Sequence, residues 1–164
     1  MAQHPGVQLY TPEQRKRRDA SRWTLVQGVL APVQFVICII SAVLVIRFLM
    51  TGEGYMAATI SIIAKTIALY VIMVTGAIWE KEIFGQYLLA EAFFWEDVVS
   101  FGVIALHTLY LAGLIWGFMT PQQLMILALV AYAAYVVNAV QFLWKLRMAR
   151  LAGVTAQPGK GAMA

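Results

Sequence analysis

The sequence predicts an all-α integral membrane protein: a four-transmembrane-helix bundle with a short N-terminal interfacial helix and both termini cytoplasmic. Three observations predict it. The 164 residues are 62% hydrophobic and only 12% charged, against roughly 45–50% apolar and about 25% charged in a typical soluble domain. A chain of 18.2 kDa cannot enclose that much apolar surface in a core of its own. Second, the apolar residues form four long segments: Thr24–Met50, Tyr55–Trp79, Asp97–Met119 and Pro121–Trp144. Each exceeds the roughly 20 residues that cross about 30 Å of hydrocarbon. Third, the basic residues gather on one side of those segments. This composition excludes a small soluble domain, a disordered chain and a disulfide scaffold. Cys38, the one cysteine, has no intrachain partner for a disulfide or a thiolate metal cluster. The net charge of +4 and pI near 9.4 could suit nucleic acid, but the placement of the charges argues for membrane orientation and no nucleic-acid partner.

Residues 1–22 form a basic cytoplasmic segment with Arg15, Lys16, Arg17, Arg18 and Arg22. Thr11-Pro12-Glu13-Gln14 is a helix start, with Thr as cap, Pro at the first helical position and Gln reaching back. The apolar run that follows is too long for a cleaved signal. Residues 23–150 hold the four spans. The spacers at Gly52-Glu53-Gly54 and Thr120 are so short that neighbouring helices must be antiparallel, and Thr120-Pro121-Gln122-Gln123 repeats the capping pattern. The spacer from Glu80 to Glu96 mixes charges with Phe84, Tyr87, Phe93, Phe94 and Trp95, a composition suited to lying in the interface. Residues 151–164 are expected to form a flexible, Gly/Ala-rich tail.

With four spans, both termini and the middle spacer share one side. That side carries ten of the twelve basic residues: five in the N-terminal segment, then Lys81, Lys145, Arg147, Arg150 and Lys160. Arg47 alone falls on the other side, and Lys65 lies within a span. The positive-inside rule places the rich side in the cytoplasm. Trp23, Trp79, Trp95 and Trp144 fall at cytoplasmic ends of spans, and Trp116 marks the far side.

A polar group in hydrocarbon costs several kcal/mol without a partner, so polar residues within spans are the informative ones. They are Gln27 and Gln34 in the first span, Lys65 in the second, Glu96, Asp97, Ser100 and His107 in the third, and Asn138 and Gln141 in the fourth. At about 1.5 Å per residue, Gln34 lies about 16 Å, His107 about 18 Å and Lys65 about 21 Å from the cytoplasmic tryptophans. Gln27, Ser100, Asn138 and Gln141 form a shallower layer, with Glu80, Glu96 and Asp97 at the rim. On the third helix Glu96, Ser100, His107 and Tyr110 share one face. That stripe is expected to face the bundle interior and line a polar cleft open to the cytoplasm.

Each of these residues also has an ordinary role open to it. Lys65 can snorkel outward, and His107 can bond a neighbouring helix. Gln27, Gln34, Asn138 and Gln141 can fasten helices together, while Glu96 and Asp97 suit a helix N-terminus. Glu80, Lys81 and Glu82 fit a solvated rim, and Phe84, Phe93, Phe94 and Trp95 fit interface anchors. Other chemistries lack their residues. His4 and His107 are the only histidines, which excludes a bis-His haem bundle. No glycine-rich phosphate loop, zinc or di-iron spacing, or nucleophile elbow occurs. Acid–base chemistry on a hydrophobic substrate remains, or binding without chemistry.

The stretches Leu9-Tyr10-Thr11-Pro12-Glu13-Gln14-Arg15, Trp23-Thr24-Leu25-Val26-Gln27-Gly28, Thr75-Gly76-Ala77-Ile78-Trp79-Glu80-Lys81-Glu82-Ile83-Phe84-Gly85 and Ala92-Phe93-Phe94-Trp95-Glu96-Asp97-Val98-Val99-Ser100 stand out together. All four resemble the vinyl (bacterio)chlorophyllide hydratase family of bacteriochlorophyll biosynthesis. The resemblance runs from about Leu9 to Leu151. It implies a membrane-bound hydro-lyase that adds water across the 3-vinyl group on ring A of chlorophyllide a or a 3-vinyl bacteriochlorophyllide, giving a 1-hydroxyethyl group. It implies no cofactor, the substrate being itself a Mg-chlorin, and residence in the inner or intracytoplasmic membrane of a phototrophic bacterium.

Such chemistry needs an acid to protonate the terminal vinyl carbon and a base to take a proton from the attacking water. Glu96 is the first candidate acid, with Glu80 and Asp97 behind it; His107 would activate the water or ligate the chlorin magnesium axially. Gln27, Gln34, Lys65, Ser100, Tyr110, Asn138 and Gln141 are expected to contact the substrate. A non-catalytic pigment carrier or assembly subunit is the competing reading. A small transporter using Lys65 and Glu96 is a third, disfavoured by four spans without repeat symmetry. A lone four-helix bundle is small for wrapping a chlorin, so a homodimer with pigment at its seam, or contact with other enzymes of bacteriochlorophyll biosynthesis, stays open.

Overall fold

The computed structural model describes residues 8–155, all in helices and short connections. His4, Lys160 and most of the expected tail lie outside the described residues. The helices are α1 (Pro12–Ala20), α2 (Arg22–Thr51), α3 (Tyr55–Phe84), α4 (Phe94–Trp116) and α5 (Pro121–Thr155), with a 3₁₀ turn at Glu91–Phe93 before α4. Four of them are long and apolar enough to cross a membrane.

Local chemistry sets the boundaries. The Thr11 side chain accepts from the Gln14 N–H while Gln14 Oε1 accepts from the Thr11 N–H at 2.9 Å, so both halves of the capping box form. Thr120 and Gln123 make the same pair at the start of α5. α2 and α3 are joined through Gly52 and Gly54, at φ +73° and +83°. A side chain at either position would meet the left-handed backbone penalty of about 1–2 kcal/mol.

Three boundaries differ from expectation. α3 continues past Trp79 to Phe84 because nothing breaks it before Gly85, so Glu80 is helical. α4 starts at Phe94 and ends at Trp116, where left-handed Gly117 caps it and bonds back to Gly113. α5 stays helical through Thr155, into the stretch expected as tail. No proline or capping pattern interrupts that stretch.

α2 packs along α3 and α4 along α5, while α3 meets α4 and α2 meets α5, closing an up-and-down bundle. Its core includes Cys38, Val45, Phe48, Ile62, Leu69, Val103, Tyr110, Met125 and Tyr132. Large apolar side chains such as Leu25, Met50, Ile67, Ile115 and Leu143 point outward, the surface that lipid solvates. Trp95, Trp116 and Trp144 are also exposed, whereas Trp79 packs against Phe84 and Phe93 and donates to Thr24.

A second core of Tyr10, Ile83 and Phe93 sits at the end of the bundle that bears α1. Tyr10 stacks on Phe84 at 5.8 Å, and Phe93 stacks on Phe142 at 5.7 Å. Phe84 and Phe93 are therefore packing residues rather than the interface anchors their setting suggested. Arg18 lies over the Tyr10 ring at 4.8 Å. Burial pushes the Tyr10 phenol up, against the lowering effect of that guanidinium. Ser21 donates to Glu82, and Arg17 donates to the Ile83 carbonyl. Arg15 lies beside Gly153, so α1 and the end of α5 share one end of the bundle.

Candidate active site

The third-helix stripe faces inward: Glu96, Ser100, His107 and Tyr110 are all buried. It does not line one open cleft. Its members divide into two layers, each with its own partners.

The layer near α1 is a carboxyl cluster. Lys145 on α5 donates to Glu96 Oε2 at 2.7 Å. Ser100 Oγ lies 2.8 Å from the Glu96 carbonyl and 2.9 Å from Asn138 Oδ1, and Asn138 Nδ2 donates to the same Glu96 carbonyl at 2.9 Å. Asn138 thereby fixes the first turn of α4 against α5. Behind Glu96, the carboxyl groups of Glu80 and Asp97 stand in hydrogen-bonding contact with each other. Two carboxylates side by side repel.

A short irregular stretch covers this pair. The Leu89 N–H donates to Asp97 Oδ2 at 2.7 Å, and the Ala90 N–H donates to Glu80 Oε2 at 3.4 Å. Leu89 has φ +60°, and it is the one non-glycine with positive φ among the described residues. Strained backbone of this kind persists where surrounding contacts over-determine it, and here Asp97 is that contact.

The deeper layer surrounds Lys65. Its ammonium is fully buried, has no hydrogen-bond partner, and lies 3.7 Å from the centre of the Tyr135 ring. Gln34 also packs against Tyr135. His107 Nδ1 donates to the Val103 carbonyl at 2.8 Å, and Nε2 is buried without a hydrogen-bond partner. Tyr132 lies 5.9 Å from the His107 ring and bonds Ser41 at 2.6 Å. Tyr110 faces Thr59 across the bundle. Gln27 stands apart from both layers and ties α2 to α3 by donating to Thr75 at 2.6 Å.

The layers are too far apart to act together on one double bond. Glu96 and His107 are separated by about 16 Å of helical rise, whereas a general acid or base must reach its atom within about 3 Å or through one water. Glu96 and His107, named as candidate acid and as candidate base or magnesium ligand, thus sit in different layers of the bundle.

Outside the bundle, a groove of about 560 Å³ runs along α5 from Val136 to Met148, with Glu96, Gln141 and Lys145 among its walls. It opens sideways, where lipid would lie. Sequence reasoning treated Lys145 only as a topology signal and passed over Tyr132, Tyr135 and Ser41. Aromatic residues read as apolar filler in a span, and a pairing across 49 positions leaves no local spacing to detect. Among the described residues, no group of three His, Cys, Asp or Glu could hold a metal ion.

The family description "2-vinyl bacteriochlorophyllide hydratase (BCHF)" matches residues 10–148. The chain belongs to this family. A 2-vinyl bacteriochlorophyllide hydratase from Cereibacter sphaeroides is 68% identical over 148 residues, covering 90% of this chain and 91% of the relative. Another from Rhodobacter capsulatus is 66% identical over 151 residues, covering 92% and 88%. No solved structure matches the chain. The matched region takes in both polar layers and the groove.

Proposed function

We propose that this chain is a membrane-bound vinyl hydratase of bacteriochlorophyll biosynthesis, adding water across the ring-A vinyl group of a Mg-chlorin to give a 1-hydroxyethyl group. Identity of 66–68% along nearly the whole chain with two proteins so named carries the reading. The basic end of the bundle faces the cytoplasm, α1 lies in the interface, and the pigment enters the lateral groove from the bilayer.

The carboxyl cluster supplies the acid. Lys145 pairs with Glu96, and the Glu80–Asp97 pair behind it is the proton store. A proton from the cluster goes to the terminal vinyl carbon, and the adjacent carbon becomes a cation delocalised into the ring. Water attacks that carbon, and its proton returns to the cluster. The sum is one water added and no electrons transferred, so the reaction calls for no redox cofactor.

The test is expression in a host that makes no bacteriochlorophyll, with the vinyl pigment supplied in water enriched in oxygen-18. The expected product is heavier by one labelled water, and Glu80→Gln should lose it while still inserting in the membrane. A wild-type protein that leaves the pigment unchanged would overturn the reading.

A further inference from the structure

We infer that Gln141 binds the central magnesium of the pigment through its amide oxygen, in the lateral groove along α5. The inference rests on the hydratase reading for the nature of the guest. The groove is walled by apolar side chains such as Val137, Val140 and Trp144, and its polar groups are Glu96, Gln141 and Lys145. Glu96 and Lys145 already satisfy each other. Gln141 Oε1 does not: it lies just beneath the groove surface without a hydrogen-bond partner. The terminal torsion of a glutamine is broad, so its amide is free to turn toward a guest in the groove that Gln141 lines.

Magnesium is a hard cation that favours neutral or anionic oxygen ligands. The other amides are occupied or remote. Gln27 holds Thr75, and Asn138 holds Ser100 and the Glu96 carbonyl. His107, the axial ligand expected from the sequence, is only 1% exposed and belongs to the deep layer. Position matters as much as chemistry. Gln141 and Lys145 are one turn apart on α5, about 6 Å. That distance is comparable with the span from the centre of a chlorin to a substituent on its edge. Magnesium held at Gln141 therefore sets the ring edge beside Glu96, Lys145 and the proton store behind them.

The experiment compares binding of magnesium vinyl chlorophyllide and its metal-free analogue to the purified protein in lipid nanodiscs. The wild type should favour the magnesium form by about tenfold or more, the effect expected of one good contact, and should shift the pigment absorption as the metal gains a ligand. Gln141→Leu should erase both the preference and the shift. Equal binding of the two pigments by the wild type overturns the inference without reference to any variant, and so does a Gln141→Leu protein that keeps the full preference. If the wild type shows the preference yet adds no water, the hydratase reading fails while the magnesium contact stands.

Discussion

At the scale of single residues, the carboxyl cluster separates roles that look alike in the sequence. Three acidic side chains share one small volume, but Lys145 neutralises Glu96 whereas Glu80 and Asp97 face each other. Glu80→Gln and Asp97→Asn should each lower kcat by about 10²–10⁴-fold, the usual contribution of a general acid, with little change in pigment affinity. Steady-state kinetics that move KM alone would contradict that assignment. Asn138→Leu should act differently, through structure. It strips two buried hydrogen bonds from the start of α4 and should cost about 1–3 kcal/mol, seen as a lower Tm in detergent with the ratio of product to folded protein preserved. Legibility at this scale was uneven. Burial of Glu96, Ser100, His107 and Tyr110 followed from their shared helix face, because periodicity reports direction. Which carboxyl finds an ammonium and which finds another carboxyl depends on contacts between helices, and one strand of text does not carry those.

At the scale of elements, the helix starts were readable because their chemistry is local. Thr11 and Thr120 each bond a residue three positions on, and each Thr→Ala change should destabilise by about 1 kcal/mol, measurable by chemical denaturation in mild detergent. The span ends were less readable. Polarity suggested that α3 stops at Trp79, yet a helix continues through Glu80 and Lys81 until Gly85 offers a left-handed cap. The stretch from Gly85 to Ala90 was legible only as a spacer. Its Leu89 holds φ +60° while its side chain is 37% exposed, so it contributes little packing. Leu89→Gly should therefore be neutral or raise stability by up to about 1 kcal/mol through relief of backbone strain. A Tm drop of several degrees would show instead that the leucine side chain is needed. Phe93→Ala should cost about 3–5 kcal/mol, because it empties the small core that clamps the N-terminal segment. Limited proteolysis should then cut faster after Arg15–Arg18.

At the scale of the whole molecule, four long apolar runs and two very short connections dictate an antiparallel bundle almost without alternatives. Counting charges adds the orientation. Reporters fused to the two termini should therefore both be active on the cytoplasmic side, and a split result would overturn that topology. The lateral groove was not legible, since a concavity between side chains on the outer face of α5 has no signature in hydropathy. The connections have a further consequence. Opposite α1 the helices are linked by residues 52–54 and 117–120 alone, too few to build a receptor, a docking loop or a second mouth. Added covering structure therefore sits at one end only, the end that bears α1 and the carboxyl cluster, and the far end is left bare.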